Sequence, residues 1–208
     1  MRTLLITGAT GGLGSEIVPL LSSGYECIAL SRSGAGGVKA DLSDPASVRS
    51  AVRSIGKPVY GLVHLAGGYA PGSIAETTDD TWSSMLALNL TAAFVAVRET
   101  LAVMDRDSAG RIVVIGSEAS LSKAAGNVAY TVAKSGLNVL IELAAKELRG
   151  TPITANALLP TALDTPAMRG AMPREKLVPL SKVGESLLFL LSDAASHISG
   201  ALIPLSAP

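Results

Sequence analysis

Short apolar runs alternate with amphipathic stretches along most of the chain. The apolar runs predict strands over residues 3–7, 25–30, 38–40, 59–65, 111–115, 153–159 and 201–205. The stretches between them predict helices over residues 12–23, 79–104, 129–149 and 185–191, with a further helix beginning near Pro45. This alternation predicts one α/β domain over residues 1–208, a doubly wound parallel sheet with helices on both faces.

The longest predicted helix, residues 79–104, carries its apolar side chains at steps of three and four positions. The members of this stripe are Trp82, Met85, Leu86, Leu90, Ala93, Phe94, Val97 and Leu101. Asn89 lies on the same stripe, where a buried amide must find hydrogen-bond partners. Asn89 is therefore a candidate functional residue, or a residue that bonds to a kink in the helix backbone. The two hypotheses are compatible.

Charge and composition exclude several classes of function. The chain has 208 residues with 17 Lys plus Arg and 17 Asp plus Glu, so no net charge attracts nucleic acid or an anionic membrane. A hydrophobic content of 48% excludes a disordered chain, and the single cysteine, Cys27, excludes an intramolecular disulfide. We find no signal peptide and no run near the roughly 20 apolar residues that span a bilayer. These features predict a cytoplasmic protein without a metal site, whose partner is a small molecule.

A glycine-rich turn follows the first predicted strand. Residues 7–14 read Thr-Gly-Ala-Thr-Gly-Gly-Leu-Gly and stand where the strand passes into a helix. Glycines at such a turn let backbone N–H groups approach a pyrophosphate at the positive end of the helix. The spacing G-x-x-x-G-x-G differs from the usual dinucleotide pattern, and glycines also occur where a turn alone requires them. The candidate residues are Gly8, Thr10, Gly11, Gly12, Leu13 and Gly14.

Three polar residues in the second half of the chain suit acid–base chemistry. Tyr130 and Lys134 stand four positions apart on a predicted helix, so their side chains share one face. A nearby ammonium should lower the phenol pKa from its usual value of about 10 toward the range useful for proton transfer. Ser117 follows a strand, at the sheet edge where open α/β folds bind ligands. The alternatives are a packed tyrosine with a snorkelling lysine, and a serine that caps the following turn.

Taken together, these residues resemble the short-chain dehydrogenase/reductase family. The likeness covers nearly the whole chain in order: TGATGGLG at 7–14, AGG at 66–68, Asn89, Ser117 and YTVAK at 130–134. Within the family the chain is most similar to the short dihydropteridine reductase-type members, in AGGYAPGS at 66–73 and LPTALDTPAMRGAMP at 159–173. The resemblance implies a Rossmann-type fold and an NAD(P)-dependent oxidoreductase.

The resemblance also implies the catalytic roles. Tyr130 protonates the substrate oxygen as hydride arrives from the nicotinamide, and Lys134 also holds the ribose hydroxyls. Ser117 orients the substrate, and Asn89 holds a water in a proton relay to the lysine. His64, at the end of a predicted strand, is expected to be structural rather than catalytic.

Further cofactor contacts are implied at the ends of other strands. Arg32 with Ser31 suits the 2′-phosphate of NADP, because no acidic residue stands there to bind an NAD ribose. The alternative for Arg32 is a solvated surface residue. The remaining implied contacts are Asp41 and Leu42 at the adenine, Ala66, Gly67 and Gly68 at the middle of the cofactor, and Pro160, Leu163 and Thr165 at the nicotinamide. Residues 166–179 are expected to form a lid over a small substrate.

The resulting hypothesis is a reductase that prefers NADPH to NADH and acts on a small carbonyl or a quinonoid pterin-like ring. A non-catalytic NADP-binding sensor or scaffold of the same fold is the alternative. An extended epimerase or dehydratase is disfavoured, since its substrate region needs about 100 further residues. The resemblance further implies a homodimer or homotetramer through the two long helices, the second of which spreads Leu137, Leu140, Ile141 and Leu143 over more than one face.

Overall fold

Seven parallel strands form one sheet in the order β3-β2-β1-β4-β5-β6-β7. The structure is a computed structural model that describes residues 1–207, apart from the side chain of Ala167. The strands are β1 (Arg2–Thr7), β2 (Tyr25–Ser31), β3 (Gly37–Lys39), β4 (Gly61–His64), β5 (Gly110–Ile115), β6 (Ile153–Pro160) and β7 (Leu202–Leu205). The doubly wound α/β fold predicted from the sequence is confirmed.

Helices cover both faces of this sheet. They are α1 (Gly14–Leu21), α2 (Pro45–Ser54), α3 (Asp79–Leu86), α4 (Ala92–Leu101), α5 (Ala119–Ser122), α6 (Val128–Glu147), α7 (Pro166–Arg169) and α8 (Leu180–Leu191), with a π-helical segment at Ala87–Thr91 and 3-10 turns at Arg174–Lys176 and Asp193–Ala195. Asp44 caps α2 by accepting a hydrogen bond from Ala46 N at 2.9 Å, and Pro45 stands in the first turn. This start agrees with the sequence, because a proline in the first turn gives up no helical hydrogen bond.

Apolar side chains fill both faces of the sheet, which is why the strand sequences read as nearly continuous apolar runs. Leu5, Leu62 and Ile112 pack on one face with residues of α2, α4 and α6. Val63 and Val113 point to the other face and pack with residues of α1 and α8. Neighbouring residues of one strand therefore support opposite helix layers.

Several helical elements differ from the sequence prediction. Helix α8 begins at Leu180, earlier than the predicted residue 185, because Pro179 stands directly before its first turn. Helix α5 has no counterpart in the prediction, since four residues are too few to show a helical period. The predicted helix 79–104 is continuous to Leu101, but its middle turn around Asn89 is π-helical.

Two helical stretches, Asp79–Leu101 and Val128–Glu147, are long and apolar enough to cross a membrane by length and composition alone. The expectation that no segment of this chain meets such a criterion is therefore wrong. In the structure half of the most apolar window of each stretch is buried inside the protein, where α4 and α6 pack on the sheet. Core packing accounts for that buried half, and the cytoplasmic location stays a prediction.

The strand order reverses between β1 and β4, since β2 and β3 extend the sheet on one side and the later strands on the other. Such a reversal leaves a crevice at the carboxyl ends of the strands, where open α/β sheets bind ligands. The loops after β1, β4, β5 and β6 meet at this crevice, and they carry most of the predicted site residues.

Candidate active site

The loop after β1 is a tight turn in which Gly8 and Gly14 leave no room for a side chain. Gly8 has a φ of +72°, and a Cβ there would lie 2.6 Å from the backbone N of Ala66. A Cβ on Gly14 would lie 2.2 Å from the carbonyl O of Gly8, so α1 begins directly against the strand end. Gly12 instead borders open space, with Thr165 Cγ2 at 4.0 Å. The turn therefore leaves its backbone open at the amino end of α1, where a pyrophosphate fits.

A cavity of about 1110 Å³ opens beside this turn. The predicted site residues that line it are Gly12, Leu13, Gly67, Gly68, Asn89, Ser117, Tyr130, Lys134, Pro160, Leu163 and Thr165. The cavity thus brings together all of the predicted catalytic residues with part of the predicted cofactor site. Its volume is at the upper end of ordinary ligand pockets, enough for a nicotinamide and a small substrate together.

The other predicted cofactor residues lie outside the cavity wall. Gly8, Gly14 and Ala66 pack together under the glycine turn. Leu42 packs against the core, although part of its side chain stays accessible. The rest lie at or near the protein surface, and they are Thr10, Gly11, Ser31, Arg32 and Asp41.

Arg32 is exposed directly after β2. Within the described part of the chain, no carboxylate lies within 4 Å of its guanidinium. The neighbouring Asp41 accepts hydrogen bonds from Ser43 Oγ at 2.7 Å and Ser43 N at 2.9 Å, and these bonds, helped slightly by the charge of Arg32, lower the pKa of Asp41. An exposed guanidinium at this strand end suits a phosphate better than a ribose hydroxyl.

Tyr130 and Lys134 share one face of α6, but their electrostatics differ from the expectation. Lys134 is 5% exposed and donates to Ile115 O at 2.8 Å, and burial lowers the pKa of its ammonium to about 8. Its Nζ lies 5.9 Å from the centre of the Tyr130 ring. Burial raises the pKa of Tyr130, so the expectation of a pKa lowered by the ammonium is wrong. The reason is that desolvation of the phenol dominates, while Lys134 is bound to the Ile115 carbonyl.

Ser117 is buried immediately beyond the end of β5. Its hydroxyl oxygen accepts a hydrogen bond from Ala119 N at 3.3 Å, so it caps the turn that leads into α5. Ser117 lines the cavity together with Tyr130, and its hydroxyl partly opposes the rise of the tyrosine pKa. The capping role and the role at the site are therefore compatible.

Asn89 lies in the π-helical segment and binds the loop after β4. Its Nδ2 donates to Gly68 O at 3.0 Å and Met85 O at 3.1 Å, and its Oδ1 accepts from Gly68 N at 3.1 Å. A Cβ on Gly67 would lie 2.8 Å from Asn89 Oδ1, so the glycine permits this close approach. The hypothesis of bonding to an irregular helix backbone is confirmed, and the water relay stays a prediction.

His64 is fully buried at the end of β4, with Nδ1 2.8 Å from Thr7 Oγ1. Burial, together with the charge of Lys134, lowers the pKa of His64 to about 3. A histidine that stays neutral over the whole physiological pH range is poorly suited to hold a proton. This environment favours the structural role expected from the sequence.

The cavity wall also contains residues that sequence reasoning missed. Tyr69 contacts the Tyr130 ring edge-to-face, with the ring centres 5.1 Å apart, although 62% of Tyr69 is exposed. Glu118 and Asn127 line the cavity as well. An aromatic residue directly after two glycines was the available signal for Tyr69. No local signal marks Glu118 or Asn127, because the packing of α5 and α6 places them.

The predicted lid, residues 166–179, folds as α7, a 3-10 turn and the segment before α8. Thr165 caps α7 through its hydroxyl, which accepts a hydrogen bond from Met168 N at 3.4 Å. Met168 and Ala171 line the cavity. The lid therefore forms one wall of the site with apolar side chains.

Replacing Asp164 with asparagine should loosen this lid. The Asp164 carboxylate accepts hydrogen bonds from Arg169 Nε at 2.5 Å and Arg174 Nε at 3.1 Å, and these guanidiniums hold its pKa below the usual range. Because an amide carries no charge to pair with them, we expect KM to rise about 3- to 10-fold with little change in kcat. Steady-state kinetics measures both parameters. The control variant is Asp193→Asn, which changes an exposed carboxylate that is paired with Arg2. Equal KM values for both variants would contradict the role of Asp164.

Comparison with known proteins decides the family. Residues 2–176 match the family model described as short chain dehydrogenase. The 3-oxoacyl-[acyl-carrier-protein] reductase MabA of Mycobacterium tuberculosis is 31% identical over 224 residues, which cover 98% of this chain and 90% of that protein. The chain belongs to the short-chain dehydrogenase/reductase family. It is an NAD(P)-dependent oxidoreductase with a Rossmann-type fold, as the sequence resemblance implied.

Other known proteins are similar to this chain in sequence or in architecture. The short chain dehydrogenase ausX of Penicillium brasilianum is 31% identical, over 98% of this chain and 94% of that protein. The crystal structure of gox2181 is 26% identical with a TM-score of 0.88, over 98% of this chain and 93% of that chain. An actinorhodin polyketide ketoreductase variant solved with NADPH is 23% identical with a TM-score of 0.90, over 99% and 96%, and supports the fold. The likeness to dihydropteridine reductase-type members stays a prediction.

Proposed function

We propose that this short-chain dehydrogenase/reductase uses NADPH to reduce a carbonyl group of a small substrate, with Tyr130 as the proton donor. The observation that carries the proposal is that the phenol of Tyr130 lines the same cavity as Ser117 and Lys134 and, with its pKa raised by burial, carries its proton at neutral pH. Carbonyl reduction requires a proton on oxygen as well as a hydride on carbon. This phenol is well placed to supply that proton.

The side chains around the cavity divide the work of the reaction. NADPH, when bound, supplies the hydride. Tyr130 donates its proton to the substrate oxygen, and Ser117 donates a hydrogen bond to the same oxygen and orients it. Lys134 binds the ribose hydroxyls with the N–H groups not used by Ile115 O. The open glycine turn at the amino end of α1 binds the pyrophosphate.

The preference for NADPH is proposed from Arg32, and a structural neighbour solved with NADPH supports it. Replacing Arg32 with alanine should raise the KM for NADPH about 10- to 100-fold, because charge-assisted bonds to the 2′-phosphate are lost. The KM for NADH should change little. Steady-state kinetics with both cofactors tests this difference in KM. The control variant is Arg53→Ala, at the exposed end of α2. An equal loss for both cofactors would contradict recognition of the phosphate.

The nature of the cavity wall supports a small, largely apolar carbonyl substrate. Tyr69, Ala119, Met168 and Ala171 contribute apolar surface to the cavity, and Tyr69 contacts the ring of Tyr130. MabA, which is 31% identical, is named a 3-oxoacyl-[acyl-carrier-protein] reductase, so 3-oxoacyl thioesters belong among the candidates. A quinonoid pterin-like ring remains a candidate on the sequence resemblance.

A substrate panel tests the proposed reaction. NADPH oxidation is followed with small ketones, quinones, a 3-oxoacyl thioester and quinonoid dihydropteridine, each at several concentrations. Turnover of a ketone or thioester supports carbonyl reduction, and turnover of the pterin alone assigns the narrower activity. If NADPH binds and nothing in the panel reacts, the alternative of a non-catalytic NADP-binding sensor or scaffold is favoured.

We also expect a homodimer or homotetramer. Apolar side chains remain exposed on the two long helical stretches, and they are Trp82, Leu88, Phe94, Val132, Val139 and Leu143. Leu137 and Ile141, which the sequence argument counted toward an interface, are buried in the core instead. The apolar surface that α6 leaves exposed for an interface is therefore smaller than the sequence indicated. Analytical ultracentrifugation distinguishes a monomer from the expected assemblies.

A further inference from the structure

A chain of buried hydrogen bonds joins α6 to the backbone of Ser117. Asn138 Nδ2 donates to Ser120 Oγ at 2.7 Å, and Ser120 Oγ donates to Ser117 O at 2.6 Å. Ser135, also on α6, donates through its hydroxyl to Ser120 O at 3.3 Å. Asn138, Ser120 and Ser117 are each less than a tenth exposed, so water competes little for these bonds.

Asn138 continues the face of α6 that carries Tyr130 and Lys134. The three residues follow one another at steps of four, which keeps their side chains on adjacent turns of one face. This face is turned toward residues 115–117, at the carboxyl end of β5. Lys134 donates to Ile115 O, and Asn138 reaches the Ser117 carbonyl through one intermediate side chain. Tyr130 lines the same cavity as Ser117, whose hydroxyl lowers the pKa of the phenol. One helix face therefore positions both the phenol and the serine.

Among the described residues, no backbone group other than Ser120 N forms a hydrogen bond with the Ser117 carbonyl. Gly116 N donates to Leu158 O at 2.8 Å and Glu118 N donates to Pro160 O at 3.0 Å, so the flanking residues are bound to β6. The carbonyl between them accepts only from Ser120, through N at 3.0 Å and Oγ at 2.6 Å, among the described residues. The position of Ser120 therefore sets the orientation of the Ser117 peptide.

The amide of Asn138 is also hard to explain by stability alone. Its Oδ1 is buried and has no hydrogen-bond partner among the residues that the structure describes. An unpaired buried acceptor of this kind costs about 1–3 kcal/mol, which an apolar side chain at the same position would avoid. The useful part of the side chain is the Nδ2 donor to Ser120.

We propose that Asn138 and Ser120 are positioning residues of the active site, which hold the Ser117 hydroxyl at the phenol of Tyr130 through the Ser117 carbonyl. The proposal rests on the proposed function, in which Tyr130 donates the proton and Ser117 orients the substrate. Neither Asn138 nor Ser120 is among the described residues that line the cavity. Their effect is transmitted by the hydrogen-bonded chain alone.

The first test compares Asn138→Leu and Ser120→Ala with the unmodified enzyme. We expect kcat to fall about 5- to 30-fold in each variant, while the Kd for NADPH stays within about twofold, since the glycine turn is untouched. Ser120→Thr keeps the hydroxyl and should recover most of the activity. Asn156→Leu, a buried asparagine bonded to Ile198 O and Ala201 N, controls for loss of stability without a change at the site.

The pH profile of the reverse reaction, alcohol oxidation, is a measurement that a change in protein stability alone does not shift. Oxidation requires the phenolate of Tyr130, and the Ser117 hydroxyl lowers the pKa of this phenol. Displacing Ser117 should therefore shift the rise in oxidation rate to higher pH in Asn138→Leu and Ser120→Ala. The other titratable groups near the phenol, Tyr69 and Lys134, are unchanged in both variants. Asn156→Leu should keep the original profile.

A double-mutant cycle with Ser117→Ala decides the mechanism. If Asn138 acts through Ser117, adding Asn138→Leu to Ser117→Ala should lower kcat by less than about twofold further. An additional loss as large as in the single variant, or an unshifted pH profile, would overturn the proposal. Tyr130→Phe separates this outcome from failure of the proposed function. If that variant keeps its activity, the proton-donor assignment is wrong whatever the cycle shows.

Discussion

Replacing Tyr130 with phenylalanine is expected to lower kcat for carbonyl reduction by about 10²- to 10⁴-fold, the usual contribution of a positioned general acid. Phenylalanine keeps the ring and its edge-to-face contact with Tyr69, so the cavity wall is preserved. It has no proton to donate, and it leaves Ser117 as the remaining donor beside the substrate oxygen. The loss should therefore appear in kcat, while KM changes little.

Cofactor binding and a remote tyrosine control this experiment. The Kd for NADPH, measured by fluorescence titration, should stay within about threefold, because the open glycine turn and Lys134 are unaltered. Tyr25→Phe removes a hydroxyl that donates to Leu191 O at 3.0 Å and lies outside the cavity. That variant should keep kcat. A Tyr130→Phe enzyme with normal kcat would refute the assignment of this phenol as the proton donor.

Replacing Lys134 with methionine is expected to move activity and stability in opposite directions. Activity should fall at least about 100-fold, because the contact that positions the ribose of the cofactor is lost. The free energy of unfolding of the protein without cofactor should rise. Methionine fills a similar volume without burying an ammonium that is 5% exposed.

The size and pH dependence of the gain follow from the pKa of Lys134. Burial lowers this pKa from 10.5 to about 8. Below pH 8, this difference means that the charged ammonium destabilises the folded protein by about 3 kcal/mol. The lost hydrogen bond to Ile115 O offsets roughly 1 kcal/mol, so we expect a net gain of about 1–2 kcal/mol at pH 7. Between pH 8 and 10.5 the folded enzyme releases the proton before the unfolded chain does. The unmodified protein therefore becomes more stable over this interval, and the advantage of methionine shrinks.

Urea unfolding at pH 7, 9 and 10.5 measures this effect. Lys146→Met, on an exposed turn of the same helix, should change the free energy of unfolding by less than about 0.5 kcal/mol at every pH. A Lys134→Met protein that is less stable than the unmodified enzyme at pH 7 would contradict the argument. Such a result would mean that the hydrogen bond from Lys134 to Ile115 O stabilises the folded protein by more than burial of the Lys134 charge destabilises it.

The strands and the two long helices could be predicted because their signals are local. The apolar run that became β5 is bounded within about one residue of its predicted range, and the helix that became α6 differs by one or two residues at its ends. Helix α5 and the π-helical turn at Ala87–Thr91 could not be predicted in this way. Each depends on contacts with distant segments, such as the bonds between Asn89 and Gly68.

The candidate site shows the same division. The spacing of Tyr130 and Lys134 placed both residues on one helix face, and the resemblance added Ser117, which the fold brings to the same cavity. The direction of the Tyr130 pKa shift was predicted wrongly, because the pKa is raised rather than lowered. Spacing reveals that an ammonium is near a phenol, but it does not reveal that a backbone carbonyl holds the ammonium, or that the phenol is desolvated.

The sequence by itself determined the parallel α/β fold, the family and the four predicted catalytic residues that line the cavity. These properties follow from periodicity and from the order of residues along the chain, which are local and need no coordinates. Only the tertiary structure decided the raised pKa of Tyr130, the hydrogen-bonded chain from Asn138 to Ser117, and the attachment of the lid to Asp164. Desolvation and hydrogen bonding depend on atoms from segments that are far apart in sequence, so no local pattern records them.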